Sequence, residues 1–167
     1  MPHDYRKEFY RNRFEHLAET VPGFRPEISH TAIALVWLYD ALDRRSQSIF
    51  ADYDLTLASF NVLSILHQQG RVPLKELSTL LVRTPANITG LVDGLAKRGL
   101  VRRVPHPQDR RAKLAEILPQ GRELYEEILP LHHRRLSQDL GVLDSEELAT
   151  LNRLARRVLS HVQEQES

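Results

Sequence analysis

Apolar positions recur every three to four residues over most of this chain, which predicts helices separated by short breaks. Tyr5, Phe9 and Leu17 form a broken stripe over residues 4–19. That segment is either a frayed N-terminal arm or a helix strapped across a dimer. Val21-Pro22-Gly23 through Pro26 ends it. A second helix runs from about Glu27 or Ser29 to Phe50, and Ala32 to Tyr39, with Trp37, is apolar without a break. Such a stretch needs cover on more than one side, and a second subunit is an economical source. Thr56 caps a third helix that carries Phe60, Leu63, Ile65 and Leu66 and ends at Gly70. Arg71-Val72 is a short extended link, and Pro73-Leu74 opens a helix with Leu74, Leu77, Leu80 and Leu81 inward.

The next stretch organises the rest. Thr84 is an N-cap and Pro85 suits the first helical position, where no amide partner is lost. Ile88, Leu91, Val92 and Leu95 share one face up to Lys97-Arg98, and Gly99 stops the helix. Leu100 to Val104 reads as a strand, Pro105 to Arg110 as a turn-rich tip, and Ala112 to Ile117 as the returning strand. A helix from Pro119 to about Leu140 carries Leu124, Ile128, Leu131 and Leu136, with a kink predicted at Pro130. Asp144 or Ser145 caps the last helix, whose stripe runs Leu148, Leu151, Leu154, Val158, Leu159, Val162.

Helix, turn, helix and charged hairpin is the layout of a winged helix-turn-helix. The fold expected is mainly α with a small β-hairpin wing. Residues 1–54 form an N-terminal extension and first dimerisation helix, 55–117 the winged domain, and 118–167 the C-terminal dimerisation helices. Charge points the same way. Between Arg83 and Lys113, eight Lys or Arg face two Asp, a local excess of +6 in a chain whose total is +1. A basic block on a nearly neutral protein marks a surface for phosphate. The bland alternative is a solvated hairpin.

Composition closes other routes. No run of about twenty apolar residues exists, so no membrane helix is expected. The first twenty residues lack a signal-peptide core, which points to a cytoplasmic protein. With no cysteine, thiol redox chemistry, disulfides and thiolate metal sites are excluded. No Gly-rich phosphate loop, His-Glu-x-x-His motif or nucleophile elbow is present, so neither an enzyme nor a cofactor is expected. His132-His133, adjacent on a helix, point about 100° apart and chelate poorly.

Residues 56–162 resemble the MarR family of bacterial winged-helix transcription regulators. The likeness is carried by Leu74-Lys75-Glu76-Leu77, Asn87-Ile88-Thr89-Gly90-Leu91-Val92-Asp93, Arg98-Gly99-Leu100-Val101, Asp109-Arg110-Arg111, Gly121-Arg122-Glu123-Leu124 and Leu143 to Leu148. The resemblance implies an obligate homodimer with interlocked terminal helices, two winged helices on a palindrome, and often a small-molecule effector. Gly90 and Gly94 depart from it, standing where relatives commonly carry larger polar or basic residues. Pro119 stands where Thr is usual. The N-terminal extension resembles the extra helix of the urate-responsive branch without its ligand set.

The helix from Pro85 should enter the major groove with its first turns. Asn87 can bond adenine bidentately, and Ala86 and Thr89 can touch a thymine methyl, with Gly90 beside them. Thr84, Lys97 and Arg98 are phosphate candidates, and Arg103 and Lys113 add wing charge. By the resemblance, Asp109 braces Arg111 in the minor groove, with Arg110 as rival or added phosphate contact. Trp37, Tyr53, Phe60 and His67 can line a site for a small aromatic effector, or be core or interface side chains. The partners expected are double-stranded DNA, a second copy and such an effector, with no membrane. The rival is a winged helix that binds protein, argued from the bare Gly90–Gly94 surface; salt-dependent duplex binding separates the two.

Overall fold

The computed structural model describes residues 3–109 and 112–165. The elements in order are α1 (His3–Thr20), α2 (Pro26–Ala51), α3 (Leu57–Gln69), β1 (Arg71–Pro73), α4 (Leu74–Leu80), α5 (Pro85–Lys97), β2 (Val101–Pro105), β3 (Lys113–Ile117), α6 (Pro119–Leu140) and α7 (Ser145–Gln165). The chain divides into two compact units between Arg45 and Ser46. No described helix is long and apolar enough to cross a membrane.

In the first unit α1 folds back on α2 through Phe14, which is buried against Phe24 and His30 at ring distances of 6.2 and 4.9 Å. Phe9 of the predicted stripe stays exposed, and the Tyr5 side chain lies outside the described residues. Leu35, Val36, Leu38 and Tyr39 are also exposed. Most of the apolar run is therefore exposed, with Ile33 and Trp37 half-buried.

The second unit holds the core. Phe50, Leu63, Leu66, Val72, Leu77, Ile88, Val92 and Ile128 are all fully buried. The core thus draws on α2 and α6, across the predicted limits at 54/55 and 117/118. Local signals behaved as their chemistry requires. The Thr56 hydroxyl accepts from the Ser59 amide, and Gly70 closes α3 at φ +78°. Asp144 Oδ1 accepts from the amides of Glu146 and Glu147, and Glu147 Oε2 accepts in turn from the Asp144 amide, a reciprocal capping box. α6 continues through Pro130.

The expected wing is present, and its hairpin belongs to a three-stranded antiparallel sheet, ordered β1-β3-β2, because the extended link Arg71-Val72, continued by Pro73, pairs with β3 and buries Val72. Two inward positions need correction. Leu80 is 49% exposed. At 100° per residue it falls about 120° from Leu74, whereas Ser78 falls about 40° away. Ser78 is the residue buried, its hydroxyl bonded to the Leu74 carbonyl. Leu131 is exposed, and Tyr125 takes its place in the core.

Register sets Glu116 of the central strand opposite both Arg71 and Arg102. Its carboxylate accepts from both guanidinium groups, the Arg71 bond being 2.7 Å. The Arg102 bond first, then that of Arg71, holds the Glu116 carboxyl below the ordinary carboxylate value. A depressed folded-state pKa contributes stability above the unfolded value and loses it as pH falls through the folded one. Glu116→Gln is therefore expected to melt below the parent at neutral pH. The gap should close as pH falls through the carboxylate range, about pH 4 and below. Melting curves across that range check it; a gap independent of pH contradicts it.

Candidate nucleic-acid interface

The interface is built around α5. Thr84 has extended backbone, its hydroxyl accepts from the Asn87 amide at 3.3 Å, and Pro85 follows at the first helical position. The chain arrives through Val82 in the left-handed region at φ +49°. Ile88, Val92 and Leu95 anchor the inner face in the core. Ala86, Asn87, Thr89, Gly90 and Lys97 are left exposed on the other side. The N-terminal turns are thus presented to solvent with the positive end of the helix dipole.

Gly90 and Gly94 leave a bare strip. A Cβ at either position would meet nothing within 4 Å. The strip forms one wall of a shallow groove of about 700 Å³, facing Ala58 and Ser59, with Arg83 and Lys97 also lining it. Each glycine costs an exposed helix roughly 1 kcal/mol relative to alanine. Gly90→Ala and Gly94→Ala are each expected to raise the melting temperature, by roughly 2–4 °C. Gly94→Ala should bind DNA as the parent does. Gly90→Ala, closer to the helix start, should bind more weakly or with altered preference. Unchanged binding by both variants in a duplex titration removes the glycines from recognition.

The basic block divides into two groups. The Arg98 guanidinium turns away from the outer face and donates to the carbonyls of Tyr53, at 2.8 Å, and Asp54. It thereby satisfies carbonyls just past the end of α2. Arg102 is held by Glu116. Arg103 donates to the Thr89 carbonyl at 3.1 Å and lies 2.6 Å from Asp93 Oδ1. Arg83, Lys97 and Lys113 are exposed and, among the described residues, in no ion pair.

At the wing tip His106 Nδ1 accepts from the amides of Gln108 and Asp109, and the Asp109 carbonyl accepts from the Ala112 amide. His106 lies in the stretch Pro105 to Arg110 that reads as a turn-rich tip, but nothing in the sequence marks its ring as the acceptor that closes the turn. Arg110 and Arg111 lie outside the described residues.

Three of the four candidate effector residues, Tyr53, Phe60 and His67, lie in the second unit. Phe60 is 4% exposed and packs on Phe50, Tyr125 and His132 at 5.0, 5.2 and 5.3 Å. His67 lies on the Tyr125 ring at 4.7 Å and bonds Glu126. The Tyr53 hydroxyl donates to Glu127, which raises its pKa. Trp37 belongs to the first unit, edge-on to Tyr10 at 5.5 Å. Sequence reasoning passed over Tyr125 and weighed His132 only as half of a poor chelate with His133. Burial, and secondarily His133, holds the His132 pKa below its ordinary value, and its Nδ1 is buried without a hydrogen bond in the described structure.

Residues 55–113 match the model of the MarR family. The chain is 30% identical over 122 residues to the multiple antibiotic resistance protein MarR of Salmonella typhimurium, covering 70% of this chain and 82% of the relative. A MarR mutant from Escherichia coli, solved in complex with operator DNA, superposes with a TM-score of 0.74 at 26% identity, over 80% of this chain and 96% of that one. BpsR of Bordetella bronchiseptica, whose DNA binding is regulated by 6-hydroxynicotinic acid, gives 0.72 at 28% identity, over 76% and 91%.

Proposed function

The chain belongs to the MarR family of DNA-binding transcriptional regulators, a non-enzymatic class, and we propose that it is a repressor that binds a palindromic operator as a homodimer. The observation that carries this is the exposed N-terminal half of α5, with Asn87 and Thr89 outward and the uncommitted cations Arg83 and Lys97 at its flanks. Asn87, Thr89 and Ala86 read base edges in the major groove. Thr84, Arg83 and Lys97 position the helix on phosphate, and Lys113 adds charge at the wing. Arg111 enters the minor groove with Asp109 as its brace, and Arg110 reaches phosphate. The apolar faces left uncovered on α2 and α7 support the dimer. Two recognition helices on one dyad read half-sites about 10 bp apart. A small aromatic acid weakens the complex, as the BpsR relative suggests.

The test is selection of duplexes from a random pool, followed by footprinting. A palindrome protected on one face of the duplex is the expected result. Equal affinity for any duplex would overturn sequence-specific recognition. Release of the selected operator by members of a panel of phenolic and pyridine carboxylic acids tests the effector.

A further inference from the structure

We propose that Arg103 is a positioning residue for recognition, fixing the pose of α5 from the first wing strand rather than contacting phosphate. This rests on the DNA-binding reading above. Arg103 Nη2 stands 3.1 Å from the Thr89 carbonyl and 2.6 Å from Asp93 Oδ1. Thr89 and Asp93 are four residues apart, so they stack on one face across adjacent turns of α5. One guanidinium therefore grips two successive turns of the helix.

The grip is rigidly mounted. Arg103 lies on β2, whose register with the central strand runs unbroken from Val101 opposite Ile117 to Pro105 opposite Lys113. Val101, two residues earlier and thus on the same strand face, is 1% exposed. Burial of Val101 and Ile88 closes the seam between strand and helix, and Arg103 extends it towards the outer edge. There it meets the turn that carries Asn87 and Thr89. A rotation of α5 about its axis displaces these side chains from the base edges, and bidentate base contacts tolerate little displacement.

The two roles predict opposite signs. If Arg103 reaches phosphate, Asp93 only neutralises it. Removing the carboxylate then tightens binding and steepens its salt dependence, since affinity follows the number of phosphates neutralised. If Arg103 positions the helix, removing Asp93 weakens binding and leaves the salt slope alone. The side chains of Asp93 and Arg103 are 48% and 32% exposed. Pairs so exposed contribute little to folding stability, so the variants remain folded.

The experiment titrates the selected operator with the full-length parent, Asp93→Ala, Arg103→Ala and the double variant at several salt concentrations. Arg83→Ala serves as the phosphate control. Each single clamp variant is expected to lose roughly tenfold in affinity, the scale of one charge-assisted hydrogen bond. The double variant should lose no more than the worse single, and all three should keep the parent's salt slope. Operators with half-site spacing altered by one base pair should be penalised less by the clamp variants than by the parent, a readout that bulk stability does not move. Arg83→Ala should lower the slope by about one phosphate per subunit. Tighter binding by Asp93→Ala, or a lower slope in Arg103→Ala, overturns the proposal. A parent that prefers no duplex overturns the DNA-binding reading itself, and this one with it.

Discussion

Leu154→Asp combined with Val158→Asp is expected to leave the chain largely unfolded at concentrations where the parent, by the homodimer proposed above, is folded. α7 spans 21 residues, none of them buried. Leu154, Val158, Leu159 and Val162 are exposed at 45, 56, 48 and 47% along one stripe. A helix of this length is marginal in water without a packed face. Burying a Leu or Val side chain contributes about 1.5–3 kcal/mol, so the two positions together carry roughly 3–6 kcal/mol per subunit. Whole domains are stable by only about 5–15 kcal/mol. Placing carboxylates there removes that term and adds a desolvation cost. If folding and assembly are linked, the helical signal should depend on protein concentration in the variant and be nearly independent of it in the parent. Sedimentation and circular dichroism over a dilution series measure both. A folded, monomeric parent at micromolar concentration contradicts the account.

Gly121→Ala is expected to be the most damaging single methyl in the winged unit. The added Cβ would lie 2.1 Å from the Leu100 carbonyl oxygen, 2.9 Å from its carbon and 3.1 Å from Ile117 Cγ1. That carbonyl already accepts from the Leu118 amide at 3.0 Å, which ties the first turn of α6 to the start of β2. The two nearest atoms belong to the Leu100 backbone, and a Cβ is fixed by its own backbone, so neither can swing away as the end of a side chain could. Overpacking a core typically costs about 1–3 kcal/mol, and this contact belongs at or beyond the top of that span. The melting temperature should fall by roughly 6–12 °C. Operator binding should weaken as well, since β2 carries Arg103. The contrast with Gly90→Ala is the control: the same substitution raises stability where the Cβ meets open space. A melting temperature equal to the parent's would show that α6 can shift freely.

The difference between these glycines was not legible in the chain. Gly121 appeared only as part of the Gly121-Arg122-Glu123-Leu124 motif, and its reason lies in a carbonyl twenty-one residues away. Gly90 and Gly94 could be placed on the outer face by counting from Ile88 and Val92, because helix geometry relates residues three and four apart. Thr56, Thr84 with Pro85, and Asp144 were readable as caps for the same reason. A cap is an interaction over two or three residues, so the chain carries both partners side by side.

Side-chain partners across the fold were beyond such reasoning. Arg98 read as a phosphate candidate and Arg103 as wing charge because only their charge was visible. The structure gives Arg98 to carbonyls forty-four and forty-five residues away, and Arg103 to a helix face fourteen residues back. Phe60 could have lined a ligand site or filled the core, and its neighbours Phe50, Tyr125 and His132 come from three different stretches of chain. Arg71-Val72 looked like a link because two residues hold too little pattern to declare a strand, and the partner β3 lies some forty residues on. The helices, most of their ends, the basic block and the likeness to a regulator family were legible in the chain. Those follow from local geometry, from summed charge and from motif order. The folded chain adds which partners Arg98, Arg102 and Arg103 take, that Phe60 is core and where a methyl has room. Each of those is settled by contacts between distant segments, which exist only once the chain has closed on itself.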